Sequence, residues 1–88
     1  NMSTILHQQG YWYGNIDKLK EIDSNLANII QSNGTNWIAF LLLESVSGEL
    51  GILEISFEQE PIDKQSVGKV IRMTGVSIAS MLDYKAHN

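Results

Sequence analysis

The sequence predicts an α+β domain: a small antiparallel sheet with a C-terminal β-hairpin, flanked by helices. Three observations carry this. Trp37-Ile38-Ala39-Phe40-Leu41-Leu42-Leu43 is apolar at odd and even positions alike, as in a strand covered on both faces, because alternate side chains of a strand point to opposite sides. A glycine-bearing turn and an alternating segment, Leu50 to Gln59, follow it. The chain then shows helical periodicity from Val67 to Leu82.

In chain order, Met2 to Gln9 is ambiguous. Ser3 is placed to cap a short helix that exits through Gln8-Gln9-Gly10, and this is the favoured reading. The alternative extends a strand into Tyr11-Trp12-Tyr13. That triplet lies between Gly10 and Gly14 and is expected to form a short strand. Leu19, Ile22, Leu26, Ile29 and Ile30 then paint one face of a helix that docks on the core. Asn15 or Asp17 supplies its N-cap and Asn33-Gly34 its stop. Asp23-Ser24 offers a second cap where the helix could break.

Ser45-Val46-Ser47-Gly48-Glu49 forms the hairpin turn, with Gly48 able to take positive φ. In the second strand Leu53, Ile55 and Phe57 point one way; Ile52, Glu54, Ser56 and Glu58 point the other, so its far end is half wet. Pro61 ends it, and Asp63 caps a final helix expected to reach about Tyr84. The expected stripe of that helix is Val67, Val70, Ile71, Thr74, Ile78, Met81 and Leu82. Gly68 and Gly75 lie inside it, each costing roughly 1 kcal/mol against alanine; close approach to a sheet or a second helix would offset that. Met73, Val76 and Ser80 lie on another side, beside the flat patch of Gly75 and Ala79, so these five residues are the candidate interface. Tyr84 to Asn88, with His87, are expected to fray or to continue into a longer chain.

With 88 residues the chain has room for one domain, residues 1–88. An apolar fraction of 43% and a charged fraction of 18% are globular, not disordered. A net charge of −4 disfavours phosphate partners. The basic residues Lys18, Lys20, Lys64, Lys69, Arg72 and Lys85 form no dense run, so nucleic acid is not expected as a partner. Without cysteine, disulfides, thiolate catalysis and Cys-based zinc sites are ruled out; a reducing, cytoplasmic setting fits. No apolar stretch approaches the roughly 20 residues of a membrane helix, so no membrane partner is expected. Asn1 precedes Met2, which suits either an added residue or a chain cut from a longer one.

Chemistry-bearing patterns are sparse. His7 and His87 have no histidine partner at helical spacing, so no metal site and no cofactor are expected. Glu54 and Glu58 share one strand face, more often a solvated edge than a catalytic pair. No serine sits in a nucleophile elbow and no glycine run cradles phosphate. Tyr11-Trp12-Tyr13 is the most suggestive segment, because consecutive aromatics put a ring on each strand face. With Phe40 they are the candidate ligand-binding residues.

Trp37 to Asp83 carries a family resemblance. NWIAFLLLES followed by GELGILEISF resembles the last hairpin of a GAF domain, and PIDKQSVGKVIRMTGVSIASMLD its terminal helix. HQQGYWYGNIDKLKEID is similar to the strand before the lateral helix of that family, and the phrasing resembles GAF-like proteins of tailed bacteriophages. The first helix and first two strands of the family have no counterpart in this chain. The resemblance implies a GAF/PAS-like sheet with helices, a non-enzymatic regulatory or sensory module binding a small molecule or a protein, and homodimerisation through terminal helices. The alternative is a small assembly protein working through its C-terminal helix or a sheet edge.

Overall fold

The computed structural model describes residues 1–46 and 48–86; Ser47 in the hairpin turn and the C-terminal His87 and Asn88 lie outside the described residues. The elements run α1 (Met2–Gln9), β1 (Tyr11–Asn15), α2 (Ile16–Ile22), α3 (Ser24–Gln31), β2 (Trp37–Ser45), β3 (Gly48–Phe57) and α4 (Lys64–Ala86). The three strands form one antiparallel sheet in the order β1-β2-β3, so the α+β class holds.

Met2–Gln9 is helical, and its cap is Asn1 rather than Ser3: Asn1 Oδ1 accepts from the Thr4 N–H and hydroxyl. The helix closes at Gly10, whose N–H donates to the Leu6 carbonyl. β1 continues through Gly14 to Asn15, further than the aromatic triplet. Gly14 is tolerated inside the strand because the Trp12 ring lies over it, where a β-carbon would come within 2.9 Å.

Asn15 caps α2, its Oδ1 accepting from the Lys18 N–H. The helix then breaks at Asp23, with φ −151° and ψ 87°, and Asp23 Oδ1 accepts from the Leu26 N–H to start α3. Leu19, Ala27 and Ile30 are buried, whereas Ile29, expected on the core face, is 64% exposed.

β2 carries the fold. All seven residues from Trp37 to Leu43 are buried. Ile38, Phe40 and Leu42 pack with Met2, Leu6, Ile16, Leu19, Ala27 and Ile30 beneath α1, α2 and α3. Trp37, Ala39, Leu41 and Leu43 pack on the opposite face with Ile71 and Ala79 of α4. Each face of the strand is therefore half of a separate core layer, as its apolar run requires.

The hairpin turns with Gly48 at φ 119°, a conformation L side chains rarely adopt. A register shift at Leu43/Glu44 makes a bulge beside Gly51, whose φ of 154° the sequence reading did not anticipate. β3 spans Gly48–Phe57, two residues short of the expected end. As expected, Leu53, Ile55 and Phe57 are partly buried toward α4, while Ile52, Glu54 and Ser56 are exposed.

Asp63 begins α4: its carboxylate accepts from the Ser66 N–H and hydroxyl. The buried stripe of α4 is Gly68, Ile71, Gly75 and Ala79, with Val67 and Ile78 half-buried. Val70, Thr74, Met81 and Leu82, assigned to the stripe from periodicity, are exposed. The small residues turn the helix. A face of glycine and alanine lets the backbone approach the sheet more closely than a face of valine and methionine would.

Candidate functional site

Alternation along β1 decides where its aromatic rings go. Tyr11 and Tyr13 pack on the α4 face, and Trp12 packs on the face under α1 to α3. Phe40 is buried in that second layer, 6.4 Å from Trp12 between ring centroids. The four candidate ligand residues therefore lie in two core layers on opposite sides of the sheet and do not converge on one cavity.

On the α4 side the rings continue as a row that the sequence reading missed. Tyr11 stacks on Tyr13 at 5.9 Å, Tyr13 meets Trp37 at 5.5 Å, and Trp37 meets Phe57 edge-on at 5.0 Å. Arg72 of α4 places its guanidinium 5.2 Å from the Tyr11 ring centroid, a cation–π distance. The missing signal was parity: Tyr11, Tyr13, Trp37 and Phe57 are all odd-numbered, and the registers Tyr13↔Ala39 and Trp37↔Phe57 keep odd residues on one face.

The candidate interface divides. Gly75 and Ala79 are buried against the sheet, which removes both from any outward contact surface. A β-carbon on Gly75 would overlap Leu41 Cδ2. Met73, Val76 and Ser80 are exposed, the first two at 63% and 67%. With Ser77 they occupy positions i, i+3, i+4 and i+7, which is one helix face. No charged residue lies on α4 between Arg72 and Asp83, so this face is uncharged over three turns.

Two grooves flank α4. One, lined in part by Gly10, Tyr11, Leu41, Arg72 and Val76, follows the β1 side. The other, about 330 Å³, lies between α4 and β3 and is lined by Ile55, Phe57, Ser66, Val67, Val70, Ile71 and Thr74 without a charged side chain.

The titratable groups explain themselves locally. Protonated His7 donates from Nδ1 to the Ser3 carbonyl at 2.7 Å and from Nε2 to Glu49 Oε2 at 2.9 Å. Those two acceptors, the carbonyl first, hold its pKa above the usual histidine value. The Ser66 N–H and hydroxyl hold the Asp63 carboxyl below the usual aspartate range. Both are surface groups in capping or tethering roles. Among the described residues no group of three or more His, Asp or Glu is placed to hold a metal ion, and no helix is long and apolar enough to cross a membrane.

Comparison with protein-family models, with curated proteins and with solved structures returns no match.

Proposed function

We propose that this chain is a non-enzymatic protein-contact module that self-associates through the outer face of α4. The observation that carries this reading is the uncharged face of Met73, Val76, Ser77 and Ser80. An amphipathic helix normally turns charge to solvent, and α4 instead leaves two large apolar side chains exposed there. A two-fold dimer covers such a face with its own copy, so that each methionine packs beside the small serines of the other helix. The GAF-like architecture belongs to the same proposal: a sheet covered on both faces with a terminal helix on its outside supports it.

Sedimentation of the purified chain across a concentration series tests the reading. A reversible dimer is expected. The double variant Met73→Glu/Val76→Glu should weaken it by more than about tenfold with the helical circular dichroism unchanged. A strict monomer at several hundred micromolar would remove self-association as the function.

A further inference from the structure

Along the open side of β3, main-chain hydrogen-bonding groups and an apolar groove without a charged side chain lie side by side. β3 is ten residues long and, among the described residues, pairs only with β2. Every second residue of such an edge strand turns its N–H and C=O away from the sheet. Above this edge is the groove whose lining includes Ile55, Phe57, Val67, Val70 and Thr74. No residue of β2 lines it, so it opens on the side of β3 away from the sheet. Val70 is 60% exposed there, and α4 packs mainly on β2 and little on β3. The layer under α4 thus leaves an apolar recess beside Ile55 and Phe57 at the free edge.

The opposite face of the same edge carries one carboxylate, that of Glu54, between the exposed Ile52 and Ser56, and Glu58 is exposed just past the end of β3. Neither glutamate has an ion-pair partner among the described residues. A strand laid against β3 meets two environments at once: an uncharged apolar groove on one side, and on the other Glu54 with Glu58 just past the strand end. Alternate side chains of an added strand would fall into these two environments in turn.

We propose that the free edge of β3 and the groove beneath α4 bind an extended segment of a partner protein in which apolar and basic residues alternate. The apolar residues enter the groove beside Val70 and Phe57, the basic ones lie against Glu54 and Glu58, and the main chain pairs with β3. A second copy of β3 fits poorly, since two-fold antiparallel pairing sets one Glu54-bearing face beside the other. This surface is distinct from the outer face of α4, so either proposal stands or falls without the other.

The test uses the full chain and fluorescein-labelled, C-amidated octapeptides, with anisotropy as readout. A peptide alternating Val and Lys should bind, and more weakly as salt rises. Alternating Val and Glu should bind at least about tenfold more weakly. Two backbone-methylated versions of the Val/Lys peptide, one methylated on every Val nitrogen and one on every Lys nitrogen, separate edge pairing from general attraction. Only one set of N–H groups can face β3, so one version should bind and the other should not. Glu54→Lys/Glu58→Lys should reverse the preference toward the Val/Glu peptide. Val70→Glu should weaken both peptides, and these exposed changes should leave the circular dichroism intact. Absence of Val/Lys binding at 100 micromolar, as an order-of-magnitude ceiling, would overturn the proposal. So would equal binding of both methylated versions, or of Val/Lys and Val/Glu. Concentration-dependent protection of β3 amides in the chain alone would show a second copy on the edge and would overturn it too.

Discussion

At position 75 a β-carbon would overlap Leu41 Cδ2 and lie 3.1 Å from its Cγ. At position 68 the nearest atom is Tyr13 Cε1 at 3.4 Å, an ordinary contact. Both glycines are interior to α4, where alanine gains roughly 1 kcal/mol of helix propensity. The two substitutions therefore separate propensity from packing. Gly68→Ala keeps the gain and is expected to raise stability by about 0.5–1 kcal/mol. Gly75→Ala must displace Leu41, buried in the middle of β2; overpacking of that kind costs about 1–3 kcal/mol and outweighs the gain. Urea unfolding of the two variants checks this through midpoints that move in opposite directions. Equal stabilisation by both would mean that α4 does not depend on glycine to approach the sheet. The cost of these glycines was legible in the sequence, and so was the need for a close approach. Which surface approached was not, because Gly75 and Ala79 serve a sheet contact and a helix contact equally well until Leu41 is seen beneath them.

At the scale of elements, Ile29 and Ile30 show how far a periodicity reading reaches. The spacing Leu19, Ile22, Leu26, Ile29, Ile30 suits one continuous helix, and on it both isoleucines face the core. Asp23 breaks the helix, and the face of α3 that docks centres on Ala27 and Ile30, so Ile30 is buried at 4% while Ile29 is 64% exposed. Ile30→Ala is expected to cost about 2–4 kcal/mol. Ile29→Lys should stay within about 0.5 kcal/mol. Thermal or urea melts in which Ile29→Lys costs as much as Ile30→Ala would put both isoleucines on the core face. The capping residue was visible in the sequence as an option. Whether a cap interrupts a helix is set by what the two halves pack against, here the surface of β2 beneath α1, which no local pattern encodes. The same limit rotated α4: periodicity alone weighs Val70 and Met81 above Gly68 and Ala79, whereas close packing favours the small residues. The hairpin was more legible. Its first strand is apolar at every position and its second alternates, and both patterns survive in the burial of β2 and β3. The aromatic triplet marked a strand correctly but not a site, since alternation sends Trp12 and its neighbours into different layers.

At the scale of the molecule, β2 is, among the described residues, the only strand paired on both edges and buried on both faces. Even residues of β2 complete the layer under α1 to α3, and odd residues complete the layer under α4. A chain of this length has about 4–13 kcal/mol of stability in all, too little for either layer to persist once β2 has left the other. The two layers should therefore unfold together. Each holds one tryptophan, Trp12 in the first and Trp37 in the second, so the chain carries its own reporters. Trp37→Phe leaves Trp12 as the sole tryptophan and damages only the opposite layer, by an expected 1–2 kcal/mol, roughly a third of the cost of full truncation to alanine. If β2 couples the layers, the Trp12 fluorescence transition in urea shifts as far as the far-ultraviolet circular dichroism does, and the two curves superimpose. The converse variant, Trp12→Phe, should carry the Trp37 transition with it in the same way. A Trp12 transition that stays at higher urea while the helical signal falls in two steps would mean that the layer under α1 to α3 holds β2 without α4. That outcome would recast α4 as a detachable cover rather than a half of the fold. The burial of seven consecutive residues in β2 argues for the single transition, because a β2 stripped of α4 would expose Trp37, Ala39, Leu41 and Leu43 to water at once.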